Sequence, residues 1–348
     1  MVLERLGEIE RGARLLEVRE IPIGDPTGHE VLVRVLCCGV CHTEIDEIEG
    51  RTPPPKLPVV PGHEIIGRVE LVGPEVVTHR VGDRVGIGWI FDSCAACRFC
   101  RAGRENLCPE FTATGRDVDG GYAEYVIVPD RSAISIPERF TDEEAAPLLC
   151  AGAVGFRSLM AAGVTNGERL GFFGFGASAH IVLQMARYLY PDSWLGVVTR
   201  SARKQKLASR LGADWVGRPQ AIAEMSEHVQ FDAVIDTTPL WRPIVDGMLS
   251  LAPGGGRFIV NAIRKLDSDR EALSEVRYPS HLWMEKQLTS VANVTYSDLE
   301  RTLRLADEIP IKPLVNIYPL DAANRALAEL KEGTRDGAHV LAVSDIAQ

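Results

Sequence analysis

The stretch 170–189, LGFFGFGASAHIVLQMARYL, decides how this chain is organised. An apolar run from Leu170 to Phe173 ends in Gly174-Phe175-Gly176-Ala177-Ser178-Ala179, and apolar residues then recur at helical spacing from Ile181 to Leu189. The pattern reads as a strand that enters a tight glycine turn and leaves it as a helix. In G-x-G-x-x-G/A the first glycine permits the turn and the second lets a pyrophosphate approach the backbone. The small third residue lets helix and strand pack closely, and the helix N-terminus attracts phosphate. A dinucleotide site on Gly174, Phe175, Gly176, Ala177 and Ser178 is therefore expected.

Downstream the alternation continues. WLGVVTR reads as the next strand, RKQKLASRLG as the next helix, and FDAVIDTT, GRFIVNAI and LTSVANVT as further strands. Strands alternating with amphipathic helices predict βαβ units and a doubly wound parallel sheet of the Rossmann type. The dinucleotide is chosen at the end of the second strand, where a carboxylate would take a ribose 2′-hydroxyl. Here that position is Thr199, followed by Arg200, Ser201, Arg203 and Lys204, so hydrogen bonds and positive charge are available for a 2′-phosphate. NADP(H) is favoured over NAD(H), with Lys204 read as an ordinary solvated helix face. Ser297-Asp298-Leu299-Glu300 has the form of a capping box opening the helix ERTLRLADEI. A last helix is expected from Ala322 to Glu332, with Asp321 as N-cap and Gly333 as stop, before a final strand AHVLAVS.

Upstream, from 28 to 136, the apolar runs are short, rich in Val and Ile, and broken by Gly and Pro (EVLVRVLCCGV, HEIIGRVELVG, DRVGIGWI, GYAEYVIVP), the texture of a β-rich domain. The final strand shares that texture, so residues 1–151 and 297–348 are expected to form the β-rich domain and residues 152–296 the dinucleotide domain. A chain of 348 residues, 45% hydrophobic, is long enough for two cores. A net charge of −10 gives no general attraction for phosphodiesters, so nucleic acid is an unexpected partner. No apolar run reaches the length of a membrane helix, and charges interrupt the first twenty residues where a secretory signal would be apolar. A cytoplasmic protein is expected.

Four of the eight cysteines, Cys94, Cys97, Cys100 and Cys108, form C-x2-C-x2-C-x7-C, a spacing that lets one loop place four thiolates around one zinc ion. A closed S4 shell leaves no open position, so this site would be structural. An iron–sulfur cluster competes for the same residues, since Pro109 follows Cys108, but the last gap is seven residues rather than three and there is no second quartet. Cys41, His63 and Cys150 are scattered, and spacing alone would leave them as two buried cysteines and a structural histidine. Each, however, ends an apolar run beside glycine or polar residues (CGVCHTE, VVPGHEIIG, PLLCAGA). Cys37 and Cys38 read as small strand residues.

Gly62-His63-Glu64 with Gly67, Gly73 and Val76 follows G-H-E-x2-G-x5-G-x2-V, which resembles the signature of the zinc-containing medium-chain alcohol dehydrogenases. Cys41-His42-Thr43, the cysteine quartet and Leu149-Cys150-Ala151-Gly152 resemble further family segments in the same order. PLLCAGA, GFGASAH and SVANVT are closest in texture to bacterial members grouped with cinnamyl-alcohol-type dehydrogenases. The resemblance implies a GroES-like catalytic domain beside the Rossmann domain and two zinc ions per chain. Of these, one would be catalytic on Cys41, His63 and Cys150, a Cys2His set with a fourth position for substrate oxygen.

By the same resemblance, hydride would pass between NADP(H) and a small primary alcohol or aldehyde. Thr43 would bond the substrate oxygen and start a proton relay, His42 would contact the pyrophosphate, and Glu64 would support the histidine ligand from behind. Trp89, five residues before Cys94, is a candidate wall of the substrate pocket, with a core aromatic as the alternative. Relatives often carry C-H-T-D and a relay histidine where this chain has Glu44 and Asp46, which leaves the relay's terminal group open, with Asp46 a catalytic candidate in the histidine's place. Gly337-Ala338 stands where a frequent Gly-Arg supplies a cation. LTSVANVT resembles the family's subunit-pairing edge, implying a homodimer or homotetramer. Two rivals stand beside this reading: a metal-independent quinone or enone reductase, against which the cysteines speak, and a nonenzymatic NADPH-binding zinc protein acting as a sensor.

Overall fold

The computed structural model describes residues 1–343, so residues 344–348 of the expected C-terminal segment lie outside the described residues. The described residues divide into two compact units, one of residues 1–153, 294–308 and 312–343 and the other of 154–293 and 309–311.

The first unit is built on the strand Glu30–Val40, eleven residues long, whose Val31, Val33 and Val35 alternate into the core at 0–1% exposure. Ile65–Val72 runs antiparallel along one edge of it. The other edge is shared, with Tyr125–Pro129 opposite residues 30–34 and Ala338–Ala342 opposite 37–40. Val315–Pro319, Arg84–Ile87 and Ala133–Ser135 complete a seven-stranded sheet. Only Glu30, Arg34 and Leu36 of this strand are partly exposed, and a one-residue slip would exchange Val33 and Val35 with the partly exposed Arg34 and Leu36 positions. The C-terminal strand thus belongs to the same sheet as the N-terminal one.

The second unit holds six parallel strands in the order Trp215–Gly217, Trp194–Val198, Arg169–Phe173, Ala233–Asp236, Arg257–Val260, Gln287–Ser290. The order reverses between Arg169–Phe173 and Ala233–Asp236. In such sheets a ligand binds outside the carboxyl ends of the strands at that reversal. Gly171 and Gly196 are register partners, and a Cβ on either would lie 2.9 Å from the Phe231 ring, so the pair of glycines seats that ring against the sheet.

Local details differ from the sequence reading at four places. The strand Trp215–Gly217 was not expected, since three residues carry no alternation to read. Gln287–Ser290 is shorter than LTSVANVT. The helix expected to open at Ser297 begins at Tyr296, and its reciprocal cap is Thr295 with Asp298: Thr295 N and Oγ1 each donate to Asp298 Oδ2 at 2.9 Å, and Asp298 N donates to Thr295 Oγ1 at 3.1 Å. Threonine outcompetes the downstream serine because its carboxylate partner is itself buried. The last helix is Ala323–Glu332, preceded by a short 3-10 turn that takes up Asp321, and it stops at Gly333 with φ +65°. Among the described residues no single helix is long and apolar enough to cross a membrane.

Candidate functional site

The strand Glu30–Val40 delivers Cys41 to the start of the helix His42–Ile48, and the loop before Ile65–Val72 delivers His63 and Glu64. Cys150 lies just before the helix Ala151–Ala162. Ligand atoms of Cys41, His63, Glu64 and Cys150 all lie within 4.8 Å of one another. The Cys41 and Cys150 sulfurs are 3.8 Å apart, which is the edge of a tetrahedron with metal–sulfur bonds of about 2.3 Å. His63 is 1% exposed and its Nε2 has no hydrogen-bond partner, the state expected of an imidazole nitrogen that awaits an ion. The donor set therefore fits zinc.

Glu44, to which the sequence motifs assign no role, is fully buried, and its Oε1 sits 2.6 Å from His63 Nδ1. The two atoms are close without meeting the direction a hydrogen bond requires, so the pairing is electrostatic. Burial pulls His63 towards its neutral form, but the Glu44 charge and Cys41 outweigh it and raise its pKa well above the ordinary value. The short contact between Cys41 and Cys150 sets the two thiols apart, holding Cys41 well below and Cys150 well above the usual thiol range. Glu44 Oε2 also accepts the Cys41 amide at 2.8 Å, so one carboxylate braces two candidate ligands. The signal for it in the sequence was its position three residues after Cys41, the spacing of a reciprocal helix cap.

Glu64 is 3% exposed, and burial lifts its carboxyl well above the usual range. Its side chain occupies the space a Cβ on Gly39 would need, at 2.0 Å. One of its oxygens lies within 4.8 Å of the ligand atoms of Cys41, His63 and Cys150. Thr43 is buried with Oγ1 3.5 Å from Cys41 Sγ. The ring of Trp89 meets that of His63 edge-on at 4.9 Å between centroids. Asp46 is turned to a different task, its Oδ1 accepting from Arg51 Nε at 2.5 Å. His42 is exposed at the first residue of its helix.

The second cysteine group sits in a loop of tight turns. Cys94 and Cys100 sulfurs are 3.9 Å apart, Cys97 and Cys100 3.5 Å, and Cys94 and Cys108 3.5 Å. Sulfurs this close suit one ion better than a multi-iron core. The amides of Cys97, Cys100 and Glu110 point at sulfurs, an arrangement that favours thiolates, and Cys97 is pulled down to about 7, first by such backbone contacts.

In the second unit Gly174 adopts φ +84°, which only glycine takes without strain, and a Cβ there would strike Thr237 Oγ1 at 2.6 Å. Gly176 caps the helix Ala177–Leu189, and a Cβ on it would meet nothing within 4 Å. The turn therefore presents open space in front of a helix N-terminus, as a pyrophosphate needs. Phe175 is 3% exposed, while Ser178 lies in the first turn. Thr199 is buried and its amide bonds Gly217 O at 2.9 Å, so the end of the second strand is tied to the third. Arg200 is exposed. Ser201 caps the helix Ala202–Arg210 by accepting from Lys204 N at 3.4 Å, and Arg203 is exposed on the first turn of that helix.

A family model of the alcohol dehydrogenase GroES-like domain matches residues 27–138, and one of zinc-binding dehydrogenases matches 211–341. The probable alcohol dehydrogenase AdhA of Mycobacterium tuberculosis is 39% identical over 91% of this chain and 90% of its own length. The chain belongs to the zinc-containing medium-chain alcohol dehydrogenases. Among solved structures, a NAD-dependent alcohol dehydrogenase superposes with TM-score 0.87 at 26% identity, covering 99% of each chain. A zinc-binding dehydrogenase of Sinorhizobium meliloti 1021 bound to NADP superposes with TM-score 0.83 at 25% identity, covering 98% of each. Of these two neighbours one is described as NAD-dependent and the other as bound to NADP.

Proposed function

We propose that this alcohol dehydrogenase transfers hydride between NADP(H) and a small primary alcohol or aldehyde and works chiefly as an aldehyde reductase. The observation that carries the reading is the convergence of Cys41, His63, Cys150 and Glu64 on one point. Zinc bound there supplies Lewis acidity, polarising a carbonyl or lowering the pKa of an alcohol. Cys41, His63 and Cys150 would hold the ion, with Glu64 in reach to close its shell. Glu44 fixes the His63 ring. Thr43 hydrogen-bonds the substrate oxygen and passes its proton, and Trp89 walls the pocket beside His63. Because Arg51 holds Asp46, the first proton transfer is assigned to Thr43 alone, and Asp46 serves to fix Arg51. The quartet of Cys94, Cys97, Cys100 and Cys108 would hold the second, structural zinc. Ligand thiols must stay reduced, which suits a cytoplasmic setting.

Zinc analysis combined with NADPH oxidation against a panel of aldehydes tests this reading. Two zinc ions per chain with turnover are expected. One zinc and no turnover would overturn it in favour of a dinucleotide sensor, and zinc-independent turnover would favour the quinone or enone reductase.

The preference for NADP(H) is supported by the absence of a carboxylate at Thr199 and by the exposed Arg200 beside it. Ser201 has an O–H to donate, and Arg203 adds charge on the following turn. Arg200→Ala is expected to weaken NADPH binding by about 10-fold or more, the worth of one charge-assisted hydrogen bond. NADH binding should stay within about twofold on the same reasoning. Equal losses for the two dinucleotides would remove the 2′-phosphate assignment.

We also propose that the strand Gln287–Ser290 pairs with a second copy of the chain. All four of its residues are exposed, at the edge of the parallel sheet, close in sequence to exposed Trp283 (54%) and Met284 (50%). An open edge beside apolar side chains is a template for strand pairing. Light scattering should give the mass of a dimer or tetramer, and Leu288→Lys combined with Thr289→Pro should give a monomer. A monomeric wild-type protein would exclude the pairing.

A further inference from the structure

Asp236 is the last residue of the strand Ala233–Asp236, which flanks the reversal in strand order, and it is fully buried. Its partner is Lys265, from the loop after Arg257–Val260, with a side chain only 7% exposed. Lys265 Nζ donates to Asp236 Oδ2 at 2.5 Å and to Thr238 O at 2.8 Å. Asp236 Oδ1 accepts from Thr238 N at 2.9 Å and from Thr238 Oγ1 at 2.8 Å. Backbone contacts draw the same two loops together, Asn261 N to Asp236 O at 2.8 Å and Leu266 N to Pro239 O at 2.7 Å.

A buried ion pair is a poor way to stabilise a fold, because desolvation of both charges offsets their attraction, and apolar residues of similar size usually serve as well. What such a pair can secure is geometry, and here it holds Thr237-Thr238. Thr237 N donates to Phe173 O at 2.8 Å, immediately before the glycine turn. Thr237 Oγ1 and Thr238 Cγ2 fill the space at 2.6 and 3.0 Å from where a Cβ on Gly174 would stand. The two threonines therefore form the wall against which the turn is shaped. Burial lifts the Asp236 carboxyl, and the ammonium beside it is the largest influence in the other direction. Without Lys265 the buried carboxylate loses its charged partner and the tie to Thr238 O, and the hold on Thr238 weakens.

We propose that Asp236 and Lys265 form a positioning pair for the dinucleotide, fixing Thr237-Thr238 against Gly174 so that the glycine turn keeps its phosphate-binding shape. This rests on the reading of Gly174 to Ser178 as the dinucleotide site. The loops lie on the carboxyl side of the sheet at its reversal, where a ligand is expected. The pair acts through the turn, so its loss should affect NADPH and NADH alike, unlike loss of Arg200.

Dissociation constants for NADPH and NADH would be measured by fluorescence on the wild-type protein, Lys265→Met, Asp236→Asn and the double variant, together with melting temperature, zinc content and the split between kcat and KM. The single variants are expected to bind both dinucleotides at least 10-fold more weakly. The double variant, which leaves no charge unpaired, should regain most of the wild-type melting temperature yet keep the affinity loss. At saturating dinucleotide its kcat should stay within threefold of wild type with zinc content unchanged. A double variant with wild-type affinity for both dinucleotides overturns the pair's role while leaving the site assignment intact. Wild-type protein that binds neither dinucleotide overturns the site assignment and the inference with it.

Discussion

Cys41→Ala and His63→Ala should each lower kcat/KM by at least about 10⁴-fold, equivalent to about 5.4 kcal/mol of transition-state stabilisation. Zinc content should fall by one ion per chain, and binding of the dinucleotide, proposed to lie in the other unit, should stay measurable. The size follows from what the two side chains provide. Each is one of three strong donors to a site whose ion is expected to stabilise the developing charge on substrate oxygen, and a site of two donors and a carboxylate would hold it poorly. His63→Ala also takes the charged partner from Oε1 of the fully buried Glu44 carboxylate, leaving it only the Cys41 amide on Oε2, and loss of one partner of a buried pair costs about 3–5 kcal/mol. Cys41→Ala carries no such penalty, so the two variants separate the loss of the ion from loss of stability. Full turnover in either, with the zinc count unchanged, would exclude the Cys41, His63 and Cys150 assignment.

How far this site could be read from sequence follows from how local each part is. Gly174 to Ala179 and the four cysteines lie within single turns or loops, so their spacing already implies geometry. Cys41, His63 and Cys150 meet only because the strand Glu30–Val40, the strand Ile65–Val72 and the segment before Ala151 end in one place, and a family resemblance had to stand in for that fold. Glu44 escaped because its role depends on His63, nineteen residues away, although its spacing from Cys41 was visible. Asp236 and Lys265 left no trace at all, since a charge in an apolar strand and a lysine in a loop each look ordinary until strand pairing buries them together. Asp46 shows the converse. Its place in the motif suggested a relay, whereas the nearby Arg51 claims its carboxylate.

Cys97→Ser should remove the other zinc and release the loop it closes, with different consequences from those at Cys41. Residues 94–108 have almost no apolar core of their own, Cys108 being the one cysteine of the four that is buried. Order in this loop would come from a shared ion and from a few ties at its margins, such as Arg131 Nη2 to the O of Ser93, just before Cys94, at 2.7 Å. Metal binding by small cysteine sites is coupled to local folding, so the variant loop should open and be cut by trypsin after Arg98, Arg101 or Arg104 under conditions that leave the wild type intact. The opening should spread in one direction. Glu105 Oε1 accepts the amide of Tyr296 at 2.8 Å, so release of the loop takes a cap from the start of the helix Tyr296–Glu308. With about 2–3 kcal/mol lost and a shift of about 2–4 °C per kcal/mol in chains of this size class, the melting temperature should fall by about 5–10 °C. The catalytic ligands remain in place, so zinc should fall by one ion per chain while turnover per remaining folded molecule persists at low temperature. Unchanged zinc content together with unchanged resistance to trypsin would show that the quartet holds no ion.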